Sequence, residues 1–131
     1  MLIQRNIQIT FLSEDVDFAN RIQQVLSEHL FEPEFNTRIF CEITGMSRSQ
    51  MHRKIKSSTG LSTSAFIRKQ RIKAAAELLQ STKVNINHIS AAVGFKSTSY
   101  FNKHFKGIMG CSPTEYIHKQ LAFNTNDTIT P

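Results

Sequence analysis

An all-α fold of about seven helices, arranged as two helix-turn-helix subdomains joined by a long linker helix, is predicted by three features of this 131-residue sequence. From Ser62 to Gln80 the apolar residues Phe66, Ile72, Ala75, Ala76 and Leu79 recur at spacings built from three and four, while Arg68, Lys69, Arg71 and Lys73 leave the remainder basic. The segments on either side of this rod repeat one another. Each repeat carries a glycine where two short helical patterns meet.

The repeat can be followed residue by residue. An offset of 49 carries Asn36 onto Asn85, Phe40 onto Ile89, Gly45 onto Gly94 and Met46 onto Phe95. One extra residue then enters, and an offset of 50 carries Met51, Ile55, Gly60, Ser62 and Phe66 onto Phe101, Phe105, Gly110, Ser112 and Tyr116. Residue class is kept where identity is not, and a repeat of this length sets the architecture. The expected organisation is a linker or N-terminal arm over 1–12, a first unit over 13–61, the connecting helix over 62–80, a second unit over 81–120 and a flexible tail over 121–131.

Residues 1–12 are polar and β-branched in loose alternation, which fits an extended arm. At Ser13 a helix is expected to begin, with Ser13 as cap, the acids Glu14 and Asp15 beside the positive helix end, and Phe18, Ile22, Val25 and Leu26 on the buried side until Pro33 stops it. Asn36 caps a short helix running to Gly45, with Phe40 and Cys41 inward; the glycine supplies a left-handed stop. The S-R-S-Q of Ser47 to Gln50 is a capping box that restarts a helix at once, with Met51 and Ile55 buried. In the second copy Asn85 is the cap, Ile86, Ile89 and Val93 face inward, Gly94 makes the turn, and Phe101 and Phe105 are buried. A last helix opens on Ser112, Pro113 and Glu115. Beyond Gln120 periodicity is lost, leaving Phe123 as a residue that could touch the core.

Charge separates the parts. The net of +6 combines −4 over residues 1–35, where Arg5 and Arg21 face six acids, +11 over residues 36–120, where fourteen Lys and Arg face Glu42, Glu77 and Glu115, and −1 from Asp127 in the tail. A polyanion should therefore meet the repeats. No apolar run approaches the roughly 18 residues of a membrane span, and Gln4, Arg5 and Asn6 interrupt any signal-peptide core, so the expectation is a cytoplasmic protein without membrane contact. Cys41 and Cys111 stand at small or apolar positions of the repeat and suggest no disulfide framework.

The stretches G-M-S-R-S-Q-M-H-R-K-I-K, F-I-R-K-Q-R-I-K-A-A-A-E-L-L and V-G-F-K-S-T-S-Y-F-N-K-H-F-K, followed by G-C-S-P-T-E-Y, closely resemble the AraC/XylS family of transcription regulators over about residues 14–120. The segments N-I-Q-I-T-F-L-S-E-D and H-L-F-E-P-E-F further resemble the C-terminal output domain of bacterial hybrid two-component sensor proteins. The resemblance implies two helix-turn-helix units whose second helices enter successive major grooves of double-stranded DNA. It also implies an upstream sensor or receiver domain in a larger protein, with RNA polymerase a further candidate partner. Where the family usually has an aliphatic residue before the first turn glycine, Thr44 stands here, which predicts a looser first unit.

With Met51 and Ile55 inward, the first reading helix turns Arg48, Ser49, His52, Arg53 and Lys56 outward; the second turns out Thr98, Ser99, Asn102, Lys103 and Lys106. By resemblance, the base-reading positions are Ser49, His52 and Arg53, and Ser99, Asn102 and Lys103. Arg53 can donate two hydrogen bonds to one guanine, and Asn102 suits adenine; a serine at position 49 makes readout by the first copy thin. Arg48, Lys54, Lys56, Lys96, Thr98 and Lys106 are cast as phosphate contacts. Outward lysines and arginines on one helix are ordinarily a solvated face, so the weight rests on the duplicated pattern.

Catalysis has no candidate residues: there is no Gly-rich phosphate loop, no paired carboxylates and no Ser/His/Asp set. His88, His104 and His118 with the two cysteines lack zinc-ligand spacing, and no cofactor is expected. The expected function is sequence-specific DNA binding and transcription regulation. The competing readings are a non-specific nucleic-acid module, which would lack the exposed aromatic platform of single-strand readers, and a helical protein-interaction module.

Overall fold

The computed structural model describes residues 15–81, 83 and 85–129, with side chains to residue 122. Among these residues are seven α-helices and no strand: α1 Val16–His29, α2 Thr37–Thr44, α3 Arg48–Thr59, α4 Thr63–Ser81, α5 Ile86–Ala92, α6 Thr98–Met109 and α7 Pro113–Ile129. The arm expected over residues 1–12 lies outside the described residues. The chain divides into two compact units between Arg71 and Ile72, so α4 is apportioned, its first half to one unit and its second half to the other.

In the first unit, α1 lays Phe18, Ile22, Val25 and Leu26 into a core completed by Phe40 of α2, Met51 and Ile55 of α3, and Phe66 and Ile67 of α4. Asp15, and not Ser13, is the N-cap of α1: its Oδ1 accepts from the Phe18 N–H at 3.0 Å, satisfying one of the donors a helix start leaves open. Ser13 and Glu14 lie outside the described residues. The helix also ends at His29, short of Pro33, because the chain must turn to bury Leu30 and Phe35. Arg71 accepts the task of satisfying that turn, donating to the carbonyls of Leu30 and Glu32 at 2.8 Å and of Phe35 at 3.1 Å.

The turn between α2 and α3 follows from Gly45, whose φ of 71° lies in the left-handed region closed to most side chains. Its neighbour Met46 donates its N–H back to the Cys41 carbonyl at 3.2 Å. Thr44, expected to loosen this unit, does not leave an unpaired hydroxyl. It is buried at 3% exposure and its Oγ1 donates to the Phe40 carbonyl of its own helix at 2.9 Å.

In the second unit Ile89 and Val93 are fully buried, Ile86 is half-buried, and the turn passes through Gly94 at a φ of 102°. Three phenylalanines join these aliphatic residues in its core, Phe95, Phe101 and Phe105. Phe101 meets Phe95 edge-on at 5.2 Å between centroids, and Phe105 meets Tyr116 at 5.5 Å. Gln80 on α4 donates a short hydrogen bond to the Tyr116 hydroxyl of α7. The last helix continues to Ile129, nine residues past the end expected at Gln120, since neither Gly nor Pro interrupts it before Pro131. The Phe123 side chain lies outside the described residues.

Candidate nucleic-acid interface

A helix that reads DNA presents side chains from its first turns, so the start of that helix must be fixed before its surface can be specific. Both helices expected to read DNA, α3 and α6, are fixed in this way. At α3 the Ser47 hydroxyl accepts from the Gln50 N–H at 3.1 Å, while Gln50 Oε1 accepts from the Ser47 N–H at 3.1 Å, closing the capping box. At α6 the Ser97 hydroxyl accepts from the Tyr100 N–H at 3.2 Å.

Burial of Met51 and Ile55 then decides which side of α3 faces water. Arg48, Ser49, His52, Arg53 and Lys56 are all exposed. On α6, burial of Phe101 and Phe105 does the same for Ser99, Asn102, Lys103 and Lys106; Thr98 is half-buried, and Lys96 is exposed in the turn just before the helix. Each unit therefore brings together its three candidate base readers and at least two cations. No acid occurs on either reading helix.

Lys54 departs from the expected arrangement. It is half-buried on the flank of α3 that meets α1, where its ammonium lies 2.9 Å from Asp15 Oδ2 and 4.9 Å from the centre of the Phe18 ring. An opposite charge and an aromatic face together hold it there, turned toward the start of α1. The Lys54 hydrogen bond, and after it the Phe18 N–H, keep the Asp15 carboxyl below the usual carboxylate range. Asp15, Phe18, Arg53, Lys54, Ser57 and Ser58 line a groove of about 240 Å³ beside the reading face.

Two participants are invisible to the periodicity. Asp15 reads in sequence as one acid among three near a helix start, with nothing to show that it reaches across 39 positions to Lys54. Tyr100 sits next to buried Phe101 yet is 47% exposed, with its ring against His104 at 4.2 Å between centroids and Phe95 at 6.1 Å. Tyr100 stands beside Ser99 at the start of α6, a single exposed ring and not a stacking platform. Cys41, buried on α2 of the first unit, has its thiol pushed up by burial, against an opposing pull from Arg48.

Comparison with known proteins identifies the family. A family model described as a helix-turn-helix domain matches residues 40–119. The chain is 34% identical over 109 residues to histidine kinase P4 of Formosa agariphila, covering 83% of this chain and 8% of that protein. It spans about a third of the length of the transcription regulators it also matches. Among solved structures it is similar to the C-terminal domain of AraT, a response regulator from Geobacillus stearothermophilus, at a TM-score of 0.74 and 31% identity, covering 82% of this chain and 88% of that one. It is also similar to the DNA-binding domain of the global transcriptional factor AdpA in complex with a target DNA, at a TM-score of 0.71 and 26% identity, covering 86% and 96%. The fold, the matched model and these likenesses agree, and the chain belongs to the AraC-type helix-turn-helix family of transcription regulators.

Proposed function

We propose that the chain is the DNA-reading output module of a larger signalling regulator, with α3 and α6 as its two major-groove helices. The observation that carries this reading is the matched pair of outward faces, each on a capped helix and each free of acids. In the first, Ser49, His52 and Arg53 read bases while Arg48 and Lys56 hold phosphates; in the second, Ser99, Asn102 and Lys103 read while Lys96, Thr98 and Lys106 hold. Arg53 donates two hydrogen bonds to a guanine, and Asn102 pairs with an adenine edge. The AdpA domain, solved on its target DNA, and the response-regulator origin of the AraT domain support both the ligand and the setting. An upstream sensor or receiver domain would supply the signal, RNA polymerase would receive it, and the reaction performed is binding, with no catalytic step and no cofactor. No helix among the described residues is long and apolar enough to cross a membrane. A cytoplasmic site of action follows from the proposed DNA target.

The test is selection of bound duplexes from a random pool, followed by titration of the winner against excess random duplex. A preferred site bound at least about 10³-fold more tightly than random DNA supports the reading. Equal binding of both would leave only a non-specific module, and binding indifferent to salt would point to a protein-interaction surface.

A further inference from the structure

The pair formed by Lys54 and Asp15 joins the start of α1 to the flank of a reading helix, and stability alone does not account for it. Both side chains remain well exposed, Lys54 at 40% and Asp15 at 47%, and exposed ion pairs contribute little. Capping does not require it either, because Oδ1 alone accepts the Phe18 N–H while Oδ2 faces Lys54. Besides these two, the groove is lined by Phe18, whose ring lies under the Lys54 ammonium, and by three residues that carry donors, Arg53, Ser57 and Ser58. Asp15 is the acid among its lining residues. A concave site with two cations and two hydroxyls, next to a helix that reads DNA, has the chemistry of a phosphate site, and a carboxylate occupies it.

We propose that this groove is a DNA-phosphate site which Asp15 holds closed in the free protein, its carboxylate standing where a backbone phosphate would sit. Asp15 competes with DNA for Lys54, so binding through this site requires the carboxylate to leave. It is also the residue by which residues 1–14 enter α1, so a displacement of the preceding segment is delivered directly to the flank of α3. The first unit then has two binding states. With the clamp closed, Arg48 and Lys56 hold phosphates; with the clamp open, Lys54 adds a further phosphate contact that Asp15 no longer neutralises. Signal arriving from upstream would in this way change affinity without altering the base-reading residues.

This inference rests on the DNA-binding reading, and one experiment separates the two. The whole chain is titrated with its selected duplex over a range of salt as wild type, Asp15→Asn, Lys54→Gln and the double variant. Asparagine caps a helix start as well as aspartate does, so Asp15→Asn opens the clamp and keeps α1 intact; a melting curve for each variant checks this. The expected result is a several-fold rise in affinity for Asp15→Asn with a salt slope steeper by about 0.9, the value of one additional phosphate contact. In the Lys54→Gln background the same substitution should change neither quantity. If Asp15→Asn raises affinity equally in both backgrounds, Asp15 acts only as a distant repelling charge and the proposal is overturned. An unchanged or weaker affinity for Asp15→Asn overturns it too, as a structural stitch would give that result. Wild type that binds no duplex at all would instead sink the DNA-binding reading itself.

Discussion

Arg71 Nε donates to the Leu30 carbonyl at 2.8 Å, joining the middle of α4 to the residue at which α1 ends. The same guanidinium reaches the carbonyls of Glu32 and Phe35, so one fork of donors satisfies acceptors that the end of a helix and its following turn leave open. Arg71 is thus a structural residue amid a basic run. Replacing it with lysine keeps the charge but leaves one ammonium for three carbonyls. Arg71→Lys should destabilise the first unit by about 2 kcal/mol, read as a lower urea midpoint with an unchanged slope.

Thr63 offers the opposite case. It is the first residue of α4, its side chain is buried at 3% exposure, and its hydroxyl has no hydrogen-bond partner. In the second repeat the matching position is Pro113, also buried, and the preceding serines cap alike. Ser62 Oγ accepts from Ala65 N–H at 3.3 Å, and Ser112 Oγ accepts from Glu115 N–H at 3.1 Å. The first helical residue needs no N–H, and proline is suited there. Thr63→Pro should therefore raise stability by about 1 to 2 kcal/mol, seen as a higher melting temperature with DNA binding unchanged.

Thr44 stands where the family pattern has an aliphatic residue, and its hydroxyl is already satisfied within α2. Thr44→Val removes a donor without orphaning an acceptor, because helix carbonyls keep their backbone partners. The expected change in stability is within about 1 kcal/mol, measured by thermal melting. A large gain would show that the hydroxyl strains the first unit after all.

These residues show what a sequence can and cannot disclose. The caps Asn36, Ser47 and Asn85 are legible because each is a local event, a side chain accepting from an N–H three residues on. The outward faces of α3 and α6 are legible because burying Met51 and Ile55, or Phe101 and Phe105, fixes everything else on those helices by periodicity. The contacts of Arg71 with Leu30 and of Lys54 with Asp15 span 41 and 39 residues, and no spacing rule reaches that far. Ser13 and Asp15 are both good caps three residues apart from plausible partners, so local preference could not choose between them.

The Asp15 clamp has a pH signature. Its carboxyl titrates below the usual value, chiefly because of Lys54 and then because of the Phe18 N–H. A depressed carboxylate contributes stability that is present above its unfolded value, near about pH 4, and is lost as the pH falls through the lower folded value. The melting-temperature difference between wild type and Asp15→Asn should therefore be small, constant from neutrality to about pH 5, and close only under stronger acid. A difference that vanished near neutrality would assign the effect to another group.

Arg53 and Lys56 should fail in different ways when removed. Arg53 lies on the outward side of α3 with a guanidinium able to match the two acceptors of guanine, so its loss removes discrimination between bases. Lys56, exposed on the last turn of α3, offers a single cation to the sugar-phosphate chain, which is the same in every sequence. Arg53→Ala should accordingly cost about 1 to 3 kcal/mol on the preferred site and much less on random duplex, with relaxed selectivity at one base pair. Lys56→Ala should weaken preferred and random duplexes alike and lower the salt slope by about one. Titrating both variants against both duplexes at several salt concentrations distinguishes the roles. If Arg53→Ala weakened the two duplexes equally, the first unit would be holding DNA without reading it, and specificity would have to come from Ser99, Asn102 and Lys103 on α6.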